Sequence, residues 1–600
     1  MSDKPEASDP AKHISFGLGS VGFGAPSAAE ALPDPDANAP TVRLVILGPF
    51  SPPETHTTRS APVRVATNVT RATLDEAVAR LAGNLVVAVP DPFDAKQPAI
   101  RLDLALTSLG SFRPDGLVEG CPVLRDLLAA SVVARDGALS DHERKRRLGE
   151  LLPFPAWLAR IVRSAPVPMP PTAPRAAAPS AIDDLLAGFD LGDDGRVAPE
   201  AGPTAAAALV GAFVAATATE SDTKDAGRLL SRALSDLLGQ VLASEELRLC
   251  ESAFRGVATL VRQLPRYARV DLVAIAVGAE DAAVVEGLEN ALQEPADLVI
   301  VHRSVGADAP SITLASALAR VAEMFQTPVV LDVDPAALGV GSARELVTSQ
   351  RRLRGVSAPG PVALRALAAR EETRWLLLAA NRLIARDRLA EDSARLPNVV
   401  LVDSAGPLFV PAAYGVAALA LASFATHGHV GALSTARVEG LPSYRDADST
   451  QLVTEAASTD GALEDAGLAG FAVLASAAGS DVIALPHPRM VYRGVVGPSG
   501  TSAAAGVVLA DQLLVSVIAR GLQEIASALA RGTPAQTVKQ VVLLGLSAIV
   551  PSGEPRPALA VAIDGAEVIV TLRPRGFAGC LLDEIELAAP LAAAASEAGA

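Results

Sequence analysis

Residues Val270–Val277 read VDLVAIAV, an apolar run of strand length. Two more lie at Leu298–His302 (LVIVH) and Pro328–Asp334 (PVVLDVD). Stretches of helical spacing lie near Asp281–Leu292, Leu314–Phe325 and Ala343–Leu353. Short apolar strands separated by helices predict a largely parallel sheet covered on both faces. A further strand is expected at Val399–Asp403.

Upstream, Leu229, Ala233, Leu237 and Val241 form one helical stripe. Ser244, with Glu245 and Glu246 behind it, is placed to cap a helix running to about Leu264. Nearer the N-terminus, Ala165–Ala181 (APVPMPPTAPRAAAPSA) reads as an extended spacer, and Asp190–Thr204 is similarly soft. The expected organisation is a flexible arm over residues 1–40, a small α/β module over 41–164, a linker over 165–181 and a larger module over 182–600. The small module opens with the strand Val42–Leu47 (VRLVIL). A helix at Leu74–Leu81 and strands at Leu85–Val89 and Ala99–Leu106 come next. A helical stretch opens at Ser111–Asp115 and restarts at Pro122, with Val123, Leu124, Leu127 and Leu128 as its stripe. After Gln451, short strands are expected at Phe471–Leu474 and Asp481–Leu485. A long amphipathic helix then runs through Leu513, Val517, Leu522, Ile525 and Leu529. Asp564-Gly565 turns a hairpin between ALAVAI and EVIVTL, and a closing strand lies near Leu581–Leu587. The fold class is therefore α/β: a small module, then a larger one with a parallel sheet and a C-terminal antiparallel hairpin.

The chain has 600 residues, half of them hydrophobic and 3% aromatic, so alanine, leucine and valine carry the core. A formal net charge of −16 lacks the basic face that nucleic acid requires. Cys121, Cys250 and Cys580 are isolated, without zinc-ligand spacing, which fits a reducing, cytoplasmic compartment. The apolar runs Ala205–Thr219 and Leu408–Ala425 are alanine-rich, and the second contains Pro411 and Gly415. Both read as buried core helices, and no membrane insertion is expected.

Several motifs could carry chemistry. Asp332 and Asp334 form D-x-D at the end of a predicted parallel strand, where Mg²⁺ can bind; the competing reading is strand termination and capping. His427-Gly-His429 reads as a surface turn. Gly497–Ser502 (GPSGTS) lacks the lysine of a phosphate loop, and Arg144–Arg147 reads as a solvated basic face. HISFGLGSVGFG (His13–Gly24) contains G-x-G-x-x-G, but no strand precedes it and prolines break the downstream stretch. Its alternation is a strand's: Ile14, Phe16 and Leu18 share a face, the phase slips at Gly19-Ser20, and Val21 and Phe23 continue. Such a lone strand adds to a sheet edge of its own chain or of a neighbour. No catalytic constellation assembles, and no metal or cofactor is expected. An α/β enzyme using Asp332, Asp334 and the 497–502 loop is the alternative of another class.

Several stretches resemble the contractile sheath of type VI secretion, with its small and large subunits (TssB and TssC, or VipA and VipB) in one chain. VRLVILGPFS resembles the small subunit's strand ending in L-G-D-F-S, with Pro49 at the aspartate. RVATNVTRATLDEAVARL and LTSLGSFRPDGLVEGCPVLRDLL resemble that subunit's next blocks. CESAFRGVATLV (Cys250–Val261) resembles the large subunit's L-E-x-x-W-R-G-L, with Phe254 at the tryptophan. AREETRWLLLAANRLIAR resembles a helix region of that subunit, with Asn381 at a proline. VTEAASTDGALEDAGLAGFAVL, LLVSVIARGLQEI and VTLRPRGF resemble later blocks, Arg520 standing at a histidine.

The resemblance implies a structural protomer, not an enzyme, that polymerises with its own copies around an Hcp-like inner tube above a baseplate and contracts. A phage-tail-like contractile particle is the alternative within that class. It further implies that residues 13–24 are a strand donated between protomers, through Ile14, Phe16, Leu18, Val21 and Phe23. A helix at Ala181–Phe189, with Ile182, Leu185, Leu186 and Phe189 on one face, is the implied dock for a ClpV-like AAA+ unfoldase. A core-packing helix is the other reading of that segment.

Overall fold

A computed structural model of the chain describes residues 41–51, 65–94, 96–154, 157–158, 161, 226–265, 269–348, 359–390, 396, 399–401, 405–493, 507–530, 532–550, 556–574 and 576–591. The fold is mixed α/β around a seven-stranded sheet. Its strands are β1 (Thr41–Gly48), β2 (Val65–Ala66), β5 (Arg269–Ala276), β6 (Leu298–Val305), β7 (Val329–Val333), β8 (Leu376–Ala380) and β13 (Ala472–Val473). Their order is β13-β8-β7-β6-β1-β5-β2, parallel throughout except for β2.

The first segment supplies β2 at one edge of this sheet and β1 near its middle. β1 is parallel to β5 on one side, Leu44 opposite Leu272, and to β6 on the other, Leu44 opposite Leu298. Leu44, Val45, Ile46 and Leu47 are fully buried. Successive side chains of a strand point to opposite faces. Leu44 and Ile46 accordingly enter one core, with Leu81, Phe254 and Tyr414. Val45 and Leu47 enter the other, with Leu288, Leu318 and Trp375. An apolar run without alternation is what a strand covered on both faces requires.

Helices flank the sheet. The first segment contributes α1 (Leu74–Ala82), α2 (Pro114–Gly120), α3 (Pro122–Arg135) and α4 (Asp141–Leu151), beside the hairpin β3 (Asn84–Val89) and β4 (Ile100–Ala105). The second opens with α5, residues 226–243, and α6 (Glu245–Gln263). Then come α7 (Asp281–Ala291), α8 (Ala309–Met324), α9 (Ala343–Thr348) and α10 (Pro359–Ala368). A short ladder, β9 (Leu383–Arg386) with β10 (Leu408–Val410), precedes α11 (Ala412–His427). The pairs β11 (Tyr444–Arg445) with β12 (Gln451–Leu452) and β14 (Ala475–Ser476) with β15 (Ile483–Ala484) flank α12 (Asp460–Ala469). The chain ends in α13 (Leu509–Ala528), α14 (Ala535–Ile549) and an antiparallel sheet of β16 (Ala558–Asp564), β17 (Glu567–Arg573) and β18 (Ile585–Pro590). Those last elements close over a core of their own, with Ile518, Leu522, Val542, Val568 and Val570.

Several expectations change. Val399–Leu401, the described part of the expected strand Val399–Asp403, is not in a strand. The slot beside β7 belongs to β8, from AREETRWLLLAANRLIAR, which forms a 3₁₀ turn (Glu371–Trp375) and two strands where the resemblance implies a helix. Every residue of Leu376–Ala380 is buried, as a central parallel strand demands. Asn381 then adopts φ 70°, left-handed backbone that ends the strand, and its side-chain amide donates to Thr454, Ala456 and Leu474. Ser244 is the N-cap residue of α6, but its hydroxyl donates back to the Val241 carbonyl. The run Leu408–Ala425 divides at Pro411 into β10 and the buried α11. α14 has no counterpart among the expected elements. Residues 205–219, the linker 165–181 and the 497–502 loop lie outside the described residues.

Candidate functional site

A cavity of about 800 Å³ opens at the carboxyl ends of β6, β7 and β8, where open α/β sheets receive ligands. Arg248, Arg303, Asp332, Asp334, Arg382 and Glu455 are among its lining residues. Their polar groups hold backbone and one another. The N–H groups of Ala412 and Ala413 donate to the two Asp332 carboxylate oxygens at 2.8 and 2.9 Å, which caps α11. Burial pushes the Asp332 carboxyl up to about 7, and the two N–H donors pull the other way. Asp334 accepts the Ala336 N–H at 2.8 Å and caps the 3₁₀ turn Pro335–Leu338. Arg382 pairs with Glu455 at 2.6 Å, and Arg303 donates to the carbonyls of Gly278 and Ala279. The two aspartates thus act as caps, and among the described residues no group of three His, Cys, Asp or Glu is placed to hold a metal ion.

Behind this cavity, α6 and α11 cross closely over the sheet. A Cβ at Gly256 would lie 2.5 Å from the Tyr414 ring, so only glycine permits this approach. Tyr414 Oη lies 3.1 Å from His302 Nδ1, and burial lowers the His302 pKa to about 3, so the imidazole is neutral. On the same helix as Gly256, Glu251 is fully buried and accepts from Arg255 at 2.6 Å and from Arg386 at 3.0 Å. Phe254 packs its ring against Phe50 and Phe112, at 5.0 and 5.9 Å. Cys250 donates its thiol to the Phe50 carbonyl. CESAFRGV therefore joins the two segments: Phe50 and Phe112 come from the first, Tyr414 and Arg386 from the second. The sequence points to this stretch and its i,i+4 pair Glu251–Arg255, but not to the pair with Arg386, which lies 135 residues from Glu251.

Comparison with protein families gives two matches. Residues 37–147 match the family described as "Type VI secretion system, VipA". Residues 284–486 match VipB, described as a tail sheath N-terminal domain. One chain thus carries a segment that matches the VipA family followed by a segment that matches the VipB sheath family. A comparison with curated proteins found no match. The VipA-type match contains β1, and the VipB-type match contains β6, its neighbour in the sheet. The two sheath segments thus share one sheet.

α6 and everything beyond residue 486 lie outside both matches, including the three-stranded sheet. In that sheet β16 is an end strand, and its inward row, Leu559, Val561 and Ile563, is only partly buried. The expected exchange strand (Ile14, Phe16, Leu18, Val21, Phe23) and the expected docking helix (Ile182, Leu185, Leu186, Phe189) lie outside the described residues. The basic run divides. Arg144 is buried, pairing with Asp141 at 2.7 Å and donating to the Asp136 and Leu139 carbonyls. Arg146 and Arg147 share Glu143 on the surface. Only part of the run is therefore a solvated face: α4 places Arg144 inward against the preceding turn. His427 ends α11, Gly428 is its left-handed cap, and the His429 ring lies on Phe577. Among the described residues no helix is long and apolar enough to cross a membrane.

Proposed function

We propose that this chain is the protomer of a type VI contractile sheath, which polymerises with copies of itself in the cytoplasm, surrounds an Hcp-like inner tube above a baseplate and contracts to propel that tube. The observation that carries this reading is β1, a VipA-type strand that pairs in parallel with β6 of the VipB-type match on one side and with β5, which lies ahead of that match, on the other. Two subunits that share a sheet form one rigid body, and fusion through the 165–181 tether fixes their ratio at one to one. A body that must move relative to its neighbours while staying linked to them suits strand exchange, since ladder bonds hold and flanking chain gives. Residues 13–24 are the donated strand in this reading. The incompletely covered β16 edge of a neighbour is its acceptor, where Ile14, Phe16 and Leu18 add a further apolar row. The segment 181–189 is the dock for a ClpV-like unfoldase after contraction.

Negative-stain electron microscopy of the full chain, beside a deletion of the residues before Pro26, tests the reading. Hollow tubes from the first and isolated particles or rings from the second are expected. Tubes from both remove the strand assignment. Monodisperse monomers from the full chain, supplied with an inner-tube protein, refute the sheath.

A further inference from the structure

The C-terminal unit, α13 to β18, has its own core and meets the rest of the described residues through several contacts, Val515 among them, which packs against the second core of the sheet. The first turn of α13 places Leu509 and Leu513 in the larger core beside the sheet. The Phe577 ring lies 5.5 Å from that of His429. A further tie is polar: Arg520, midway along α13, donates from Nη2 to Oδ1 of Asp297. Asp297 is buried and stands immediately before β6. Its other oxygen, Oδ2, accepts the Arg43 N–H at 2.8 Å, and its own N–H donates to the Arg43 carbonyl at 2.9 Å. The Arg43 guanidinium in turn reaches Asp271 on β5, at 3.6 Å, and Glu294.

One carboxylate therefore holds three things: the start of the VipA-type strand, the start of its neighbour β6, and the C-terminal unit. We infer that Arg520–Asp297 is a latch that fixes the C-terminal unit against the sheet and couples its position to the seating of β1. A charge-assisted bond shielded from solvent is strong and directional. While it holds, α13 cannot pivot about its first turn without pulling on the carboxylate that accepts the Arg43 backbone N–H. Displacement of the three-stranded sheet is thereby transmitted to the first residues of the central strand. These contacts lie within one chain and do not depend on polymerisation.

Hydrogen exchange on the full chain, read by mass spectrometry at matched assembly state, tests it. Arg520→Met keeps the packing stem and removes the charge. Exchange should rise about tenfold both in the middle turns of α13 and in residues 41–44, which Arg520 does not touch. Residues 568–572, in the centre of β17, should keep the wild-type rate. Arg520→Lys should restore most of the protection. Asp297→Asn keeps an acceptor for the Arg43 N–H, so it should loosen α13 more than residues 41–44. Acceleration in α13 that leaves 41–44 unchanged overturns the coupling. Uniform acceleration across the chain, or none, overturns the latch.

Discussion

Replacing Gly256 with alanine tests the close crossing of α6 and α11. At an open helical site, glycine to alanine gains roughly 1 kcal/mol. Here the added methyl would stand 2.5, 2.6 and 2.7 Å from three Tyr414 ring atoms. Ordinary carbon contacts need about 3.5 Å or more, so the ring must move by about 1 Å. It has little room: Tyr414 is fully buried and bonded to His302. Overpacking of this kind costs about 1–3 kcal/mol, and stretching the buried hydrogen bond adds about 1–2 kcal/mol. After subtracting the helix gain, the expected net loss is about 2 kcal/mol. Gly149→Ala is the control, since its Cβ would meet only Leu158, at an ordinary 3.5 Å. Urea unfolding monitored by tryptophan fluorescence gives both midpoints, with Trp157 in the first segment and Trp375 in the second. The double variant with Tyr414→Leu should recover at least about 1 kcal/mol of the loss. A Gly256→Ala midpoint at or above that of Gly149→Ala, or no recovery in the double variant, refutes the packing argument.

The same geometry sets three further expectations. Ile46→Ala and Leu47→Ala face different cores, yet each should cost about 2–5 kcal/mol and lower the unfolding midpoint in both segments together; two separate transitions would contradict a shared sheet. Glu251→Ala removes the buried partner of Arg386 and Arg255 and should cost about 3–5 kcal/mol by the same unfolding assay, well beyond any surface ion pair. The Asp332 carboxyl is raised from 3.8 to about 7 by burial, so its contribution to stability is fully present below pH 4 and lost as pH rises through 7. Unfolding midpoints between pH 4 and 8 should therefore show a downward slope, worth at most about 4 kcal/mol, that Asp332→Asn removes; an unchanged slope in the variant refutes the assignment.

By itself the sequence determined the local elements and the family. Apolar runs of strand length placed β5, β6 and β7, helical spacing placed α7 and α13, and the Asp564-Gly565 turn signal placed the β16–β17 hairpin, each to within a few residues. Those signals are written in side chains a few positions apart, and burial on one face or two is enough to produce them. The resemblance blocks carried the sheath reading for the same reason, since each is a short local pattern in a preserved order. Where a second local reading competed, the sequence misled: Leu376–Ala380 looks helical beside its motif, and only its all-round burial next to β7 makes it a strand.

What the tertiary structure decided is everything that joins distant parts. No periodicity says that Val42–Leu47 enters a sheet whose neighbours begin more than two hundred residues later, because pairing partners are selected by packing both faces of the whole sheet at once. The same holds for the polar residues. Asp332 and Asp334 form a D-x-D that sequence leaves open between metal ligand and cap, and the fold brings the N–H groups of Ala412, Ala413 and Ala336 onto their carboxylates as caps. Glu251 with Arg386, and Asp297 with Arg520, are ordinary charges in the sequence. Burial against a partner far along the chain gives them their roles, and burial is a property of the assembled fold.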